Sequence, residues 1–394
     1  MMPTNVPKNI DKYFFNRTKD IKKINLQISS IYEDLPNQLL ITGNRGVGKT
    51  FLLKKILHDT NNKTLTAYID ISKIYSSNKK VTEEEILKEM LSIIYESLRQ
   101  KQSVLKNFND NIKNIITNIK LHDYEFTDTA SIFDIPIPKI KENYKALSKF
   151  VMELPQKIID TSDEIDAFIL VFDEFQFIKH VENPEAFFWL FRSYIQDQSN
   201  VCYIFTGSVS KSADIIEDIN GQRGAFAGRM IQIDIEAFTK EETYKYLNEK
   251  AGDIKFTDDG FDRFYKCTRG IPAYINTFCN VLDSGKIYDE EMIKESFMMK
   301  MDQIVIMCLY VWGNLSDYEK TIIKILVDEN GLTWNNLLEK TGYSKSTLTK
   351  YIDSLNNKAI LGYSHDNIYM INDMMLVTWL KHKKETEGQY PYKI

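Results

Sequence analysis

No other stretch limits the fold of this chain as strongly as Gly43-Asn44-Arg45-Gly46-Val47-Gly48-Lys49-Thr50. Its glycines let successive backbone N–H groups turn inward around an anion, a path that a Cβ hinders. The run follows an apolar segment, Asn37 to Thr42, and precedes an amphipathic helix from Lys49 to His58. Strand, glycine loop and helix in that order aim a helix N-terminus at a phosphate. Gly43, Asn44, Arg45, Gly46, Val47, Gly48, Lys49, Thr50 and Phe51 are therefore the candidate phosphate cradle. In it Lys49 reaches the β- and γ-phosphates and the Thr50 hydroxyl ligates Mg2+.

A strand that delivers such a loop belongs in a parallel sheet, and the rest of the N-terminal half supplies one. Leu65 to Ile71, Ala167 to Phe172, Val201 to Phe205 and Met230 to Ile235 are further strand candidates, separated by helical patterns. Ala167 to Phe172 is wholly apolar, as expected of a strand buried on both faces. Alternating strands and helices predict an α/β fold, a doubly wound parallel sheet. Thr82 with Glu85 forms a capping box that opens a helix running to about Arg99. Residues 101–140 read as a surface insertion with an irregular β pair, and helices are expected over 141–160 and Pro184 to Gln196. The first 36 residues read as a leader and one helix, Thr18 to Ile31.

After Ile235 the β signal stops. Capping residues Thr239 and Thr257, and helical patterns at 271–282 and 289–299, predict an all-helical unit. From Leu315 the pattern changes again. Ser316 and Glu319 cap one helix, a second spans Trp334 to Lys340, and a third spans Lys345 to Asn356. Two short strands, Ala359 to Tyr363 and Asn367 to Met370, flank a polar loop. Three helices and a β hairpin read as a winged helix-turn-helix. Three domains follow: 1–237 with the nucleotide site, 238–314 as a helical lid, and 315–394 as the winged helix.

Two further strand ends carry chemistry. Phe168 to Phe172 runs into Asp173-Glu174, and ligands of parallel sheets bind at such carboxyl ends. Asp173 is the candidate Mg2+ ligand, Glu174 the general base, and Gln176 the group that orients water or reports on the γ-phosphate. Val201 to Phe205 runs into Thr206-Gly207-Ser208. Ser208 is the candidate contact to the γ-phosphate, and capping of the next helix is the alternative reading for this stretch.

Charge and composition narrow the rest. The chain holds 50 Lys and Arg against 55 Asp and Glu, a net charge of -5. That excludes a uniformly basic nucleic-acid coat. The longest apolar run, Ile304 to Trp312, is too short to cross a bilayer, and no secretory signal stands at the start. The four cysteines form no C-x-x-C pair and read as reduced thiols of a cytoplasmic protein. Arginine is scarce beside lysine, so its positions are informative. Arg17, Arg45, Arg223, Arg229 and Arg269 all lie near candidate nucleotide elements.

Phe14-Phe15-Asn16-Arg17, the Gly43–Thr50 loop, Val171-Phe172-Asp173-Glu174-Phe175-Gln176, Phe205-Thr206-Gly207-Ser208, the glycine-arginine loop 221–229 and Arg269-Gly270-Ile271-Pro272 together resemble the archaeal-type P-loop ATPases of the AAA+-related STAND class. The resemblance covers about residues 12–380. It implies an ATPase with an AAA+-like core, a helical lid and a winged helix, using ATP and Mg2+. It also implies that Arg17 borders the adenine, that Arg229 approaches the γ-phosphate, and that Pro272 sets the lid over the base. One position departs from the pattern, since Asn16 stands where the family usually has Gly. ATP over GTP follows from the resemblance, and no N-K-x-D motif is present. On the third helix of the winged unit Lys345, Ser346, Thr349 and Lys350 lie opposite Leu348, Ile352 and Leu355. Residues 315–394 are formally neutral, with ten Lys and ten Asp or Glu. Double-stranded DNA and a protein partner therefore both stand as candidates for this unit. The leading expectation is an ATP-driven conformational switch, and the alternative is a DNA-binding initiator or transcription regulator. The initiator's Gly-Asp-x-Arg lid motif is replaced here by Gly270-Ile271-Pro272.

Overall fold

The computed structural model describes residues 2–78, 81–102, 129–132, 135–138, 144–207, 216, 219–222, 224–358, 360–363 and 367–391. Ser208 and Arg223, and most of the 101–140 stretch, lie outside the described residues.

The strands before Phe238, among the described residues, are β1 (Leu39–Thr42), β2 (Thr64–Asp70), β3 (Thr129–Ile132), β4 (Ile135–Pro138), β5 (Ala167–Asp173), β6 (Val201–Thr206) and β7 (Ile231–Asp234). Five form one sheet in the order β2-β5-β6-β1-β7, with every neighbouring pair parallel. β3 and β4 pair antiparallel, so a β pair does stand within the insertion.

Side chains alternate across a strand, so each strand feeds two cores. Leu40, Phe168, Leu170, Phe172, Tyr203 and Phe205 face helices Glu83–Gln102, Tyr144–Asp160 and Pro184–Ile195. Leu39, Ile41, Ile169, Val171, Cys202 and Ile204 pack with helices Thr18–Ile28 and Lys49–His58 on the opposite side. Helices on both faces of a parallel sheet make this an α/β doubly wound fold. β5 lies inside the sheet between β2 and β6 and is buried along its whole length.

From Phe238 onward one hydrophobic core runs through Leu380. Helices Lys240–Lys250, Asp258–Thr268, Pro272–Val281, Glu290–Met299 and Ile306–Gly313 share it with Asp317–Glu329, Trp334–Thr341, Lys345–Asn357 and a closing helix, Met374–Glu387. The three expected capping boxes form, at Thr82–Glu85, Thr239–Glu242 and Ser316–Glu319. Strands Leu332–Thr333, Ile368–Ile371 and Leu361–Tyr363 pair antiparallel in that order beside the last helices. Trp312 and Trp379, both fully buried, meet edge to face at 6.2 Å across positions 314 and 315. The core is therefore continuous where composition suggested a boundary. The closing helix has a readable signature, with Asp373 accepting from the Met375 and Leu376 N–H groups at its start.

The first residues are not loose. Met2 is buried in the core that runs from Phe238 to Leu380. Its N–H donates to Asn280 Oδ1 at 2.7 Å, and Asn276 Nδ2 donates to the Pro3 carbonyl at 2.7 Å. The N-terminal arm thus crosses helix Pro272–Val281 before the chain enters the sheet unit.

Candidate functional site

The carboxyl edge of the sheet collects four polar strand ends. Register sets Ile41 beside Thr206, Thr42 beside Asp234, and Phe172 beside Phe205, which brings Thr42, Asp173, Thr206 and Asp234 to one edge. The glycine loop leaves β1 at this edge. Gly43, at φ 141°, runs so close to the Ile235 carbonyl that a Cβ would lie 2.4 Å from its oxygen. Gly46, at φ 83°, would direct a Cβ against Met307, Ala273 and Ile271. The loop is thus shaped by contacts on its outer side and keeps its backbone turned inward.

Lys49 is buried, and its Nζ donates to the carbonyls of Gly43 at 2.8 Å and Asn44 at 3.0 Å. Burial pushes its ammonium down to about 8, while Glu174, Asp173 and Asp234 act in the opposite direction. A cation desolvated in this way gains by meeting an anion. Thr50 Oγ1 donates to Asp173 Oδ2 at 2.8 Å. Asp173 Oδ1 accepts the Glu174 N–H at 2.9 Å. A hydroxyl and a carboxylate side by side supply the hard oxygen donors that Mg2+ takes, usually few in number and completed by water and phosphate. The residues present fit that cation.

Glu174 occupies the left-handed region, at φ 54°, and starts the short 3-10 helix Phe175–His180. Gln176 Nε2 donates to Glu174 Oε2, and Gln176 Oε1 is buried with no hydrogen-bond partner among the described residues. Burial raises the Glu174 carboxyl above its ordinary range, and Asp173 raises it further. A carboxyl so placed is a better proton acceptor than an exposed one. Gly207 lies close beside it: a Cβ there would come 2.1 Å from Gln176 Oε1 and 3.1 Å from the Phe175 ring, so a larger residue would have to push the Gln176 amide aside.

The arginines divide. Arg17 Nη1 donates to the Glu236 carbonyl at 2.7 Å, Arg17 Nη2 donates to the Val47 carbonyl at 2.7 Å, and the guanidinium lies 4.6 Å from the Phe238 ring centroid. It clasps the loop to the segment leaving β7. Asn16 and Arg17 both adopt positive φ, 54° and 60°. That backbone explains why glycine is usual at position 16, and asparagine is among the side chains that tolerate it. Arg45 is exposed, 5.0 Å from the Tyr310 ring centroid. Phe51 packs edge to face on Phe14 at 5.4 Å. Pro272 opens helix Pro272–Val281, and the next residue, Ala273, donates its N–H to the Gly46 carbonyl at 3.2 Å.

Arg229 is not brought to the loop within this chain. Leu39 pairs with Ile231 and Thr42 with Asp234, so Arg229 precedes the strand at the amino edge of the sheet. The four residues of β7 separate the two edges by about 13 Å. A parallel register keeps the two edges apart, so the place of Arg229 in the sheet lends no support to an approach to a γ-phosphate at this chain's own loop.

Two site residues were not named from the sequence: Tyr68, whose hydroxyl donates to Asp173 Oδ2, and Asp234, which accepts from Thr42 Oγ1 at 2.9 Å; Thr206, in the strand end named with Ser208, has a buried Oγ1 with no hydrogen-bond partner among the described residues. Thr206 and Asp234 are polar ends of their strands, which was the available signal, whereas Tyr68 lies inside β2 and carries none.

Residues 14–278 match a family model described as an ATPase domain predominantly from Archaea. The chain belongs to that family. It is an ATPase, and nucleotide binding is assigned to it on the same ground. Among solved structures, the Walker-type ATPase PABY2304 of Pyrococcus abyssi is similar at 18% identity, with TM-score 0.67, over 96% of this chain and 99% of that one. The Aeropyrum pernix ORC2 protein, in its ADPNP–ADP complexes, is similar at 10% identity, with TM-score 0.51, over 96% of this chain and 98% of that one. These likenesses show the fold this ATPase shares. No curated protein matches the chain. Among the described residues, no helix of this ATPase is long and apolar enough to cross a membrane.

Proposed function

We propose that this chain is a nucleotide-driven switch of the STAND type, in which ATP at the phosphate loop sets the position of everything after Phe238. One observation carries the reading. Ala273 and Met307 touch Gly46, and the residues next to them, Tyr274 and Cys308, both reach Asp373. Tyr274 Oη donates to Asp373 Oδ2 at 2.6 Å, and Asp373 caps the closing helix. A shift of the loop is thereby transmitted through two adjacent residue pairs into the last helix. The continuous core makes the helical lid and the C-terminal unit move together.

In this reading Lys49 and the loop amides hold the phosphates. Thr50 and Asp173 would hold Mg2+, which when bound would neutralise phosphate charge. Glu174 accepts a proton from the attacking water, and Gln176 orients Glu174 through its amide. The buried Thr206 hydroxyl sits beside Asp173 and takes the role first expected of Ser208.

The C-terminal unit is read as a winged helix, supported by helices Asp317–Glu329, Trp334–Thr341 and Lys345–Asn357 and the three-stranded antiparallel sheet, with helix Met374–Glu387 following them. Lys345, Ser346, Thr349 and Lys350 are exposed on helix Lys345–Asn357. This face is the candidate contact for a protein partner or for duplex DNA, and the neutral charge of the unit favours the protein.

The switch is tested by hydrogen exchange at the Met375 and Leu376 amides with ATP or ADP bound. Nucleotide-dependent protection there in wild type, reduced in Tyr274→Phe, supports it. Identical protection in both nucleotide states refutes it. Steeply salt-dependent binding of duplex DNA, with phosphate release stimulated by that DNA, would promote the DNA regulator instead.

A further inference from the structure

The hydroxyl of Tyr68 sits where it constrains the site without belonging to the glycine loop or to the Asp-Glu pair. β2 and β5 run parallel with Tyr68 beside Val171 and Asp70 beside Asp173. Alternation therefore turns Tyr68 and Asp173 to the same face of the sheet, the face that carries helix Lys49–His58. The ladder fixes the backbone of both residues, so the phenol reaches the carboxylate from a rigid strand. Tyr68 Oη donates to Asp173 Oδ2, the same oxygen that accepts Thr50 Oγ1. The Glu174 N–H holds Oδ1.

Three donors from three elements thus fix one carboxylate. Lys54 Nζ lies 5.1 Å from the Tyr68 ring centroid and braces the ring from the helix. A carboxylate torsion is broad when unconstrained; Thr50 and the Glu174 N–H put one bond on each oxygen, and Tyr68 adds the second bond on Oδ2, from the strand side, that sets where that oxygen points.

We propose that Tyr68 is a positioning residue for the cation site: it holds Asp173 in the orientation in which Asp173 and Thr50 together receive Mg2+. The proposal rests on the reading of Asp173 and Thr50 as the cation's side chains. It assigns Tyr68 no contact with nucleotide and no part in proton transfer.

The test measures affinity for a fluorescent ADP analogue with excess Mg2+ and again with EDTA, in wild type and in Tyr68→Phe. The expected result is an EDTA affinity within about twofold of wild type and a Mg2+ enhancement about tenfold smaller, the scale of one hydrogen bond to a charged group. Equal losses with Mg2+ and with EDTA would mean that Tyr68 only supports the fold, and the proposal fails. An unchanged Mg2+ enhancement also overturns it. The same change is made in an Asp173→Asn background, where Tyr68→Phe should cost nothing further, and an additive loss there overturns the proposal as well. If wild type itself gains no affinity from Mg2+, the assignment of Asp173 and Thr50 falls and the proposal falls with it. That outcome is separable from a failure of Tyr68 alone, in which wild type responds and the variant responds equally.

Discussion

The backbone N–H of Ala273 donates to the carbonyl of Gly46 at 3.2 Å, so the first turn of a helix outside the sheet unit rests directly on the phosphate loop. The contact is closed from several sides, by Ile271, Ala273 and Met307 against Gly46 and by Arg45 over Tyr310. Any ligand that reshapes the loop must carry these contacts along or break them.

Gly46→Ala is expected to disturb both sides of that contact. Its Cβ would lie 2.9 Å from Met307 Cε and 3.0 Å from Ala273 Cβ, at a backbone φ of 83°. The expected loss is about 1–3 kcal/mol of stability. Chemical denaturation measures it, and ATP should stabilise the variant less than it stabilises wild type.

Lys49→Ala should remove most nucleotide binding, because it deletes the one buried ammonium aimed at the loop. Glu174→Gln should retain ADP and ATP affinity and lower turnover by about 10²–10⁴-fold, the usual scale of general-base catalysis. Equilibrium binding and phosphate release, measured side by side, separate the two. Wild-type turnover in Glu174→Gln would remove Glu174 from the mechanism.

Arg17→Lys should destabilise the chain even though the charge is kept. A lysine cannot reach the Val47 and Glu236 carbonyls together with two nitrogens, nor stack its plane on Phe238. A loss of about 1–3 kcal/mol is expected, read as a lower melting temperature with little change in turnover at low temperature. A large fall in ATP affinity without a change in melting would make Arg17 a base-contact residue.

Arg229→Lys should leave both ADP affinity and turnover of dilute protein within about twofold, because the residue stands at the far edge of the sheet. Loss of turnover that is independent of protein concentration would contradict the placement.

Acid should weaken the C-terminal unit through Glu319. Its side chain accepts from Lys358 Nζ at 2.6 Å, Ser354 Oγ at 2.8 Å and the Ser316 N–H at 2.8 Å. Burial acts to raise its carboxyl, but the Lys358, Ser316 and Ser354 bonds outweigh it and hold the group below its ordinary value of 4.5. A depressed carboxyl contributes stability above its unfolded value, and that contribution disappears as pH falls through the folded one. Denaturant midpoints should therefore drop below about pH 4.5, and Glu319→Gln should flatten that part of the curve. The same slope in the variant would place the acid sensitivity elsewhere.

The chain's local chemistry was legible before folding. Gly43 through Thr50 declare a phosphate loop because the backbone path and the helix start are both local. Thr239 with Glu242 and Ser316 with Glu319 declare their helices because a capping box spans only four residues. Asp173 and Glu174 declare a strand end because apolar residues precede them. Long-range placement was not legible. Arg229 is near the loop by composition and far from it by strand register. Tyr68 reads as an ordinary strand residue until β2 lies beside β5. Met2, expected in a leader, is buried against a helix more than 270 residues away in sequence. The packing of Trp312 on Trp379 across the boundary near 314 is equally unreadable from either segment alone. Sequence determined which segments form helices, strands and the phosphate loop, since hydrogen bonds within a few residues decide them. Only the tertiary structure decided which strand ends share an edge and which helices share a core, because register and packing join residues whose separation along the chain carries no local signal.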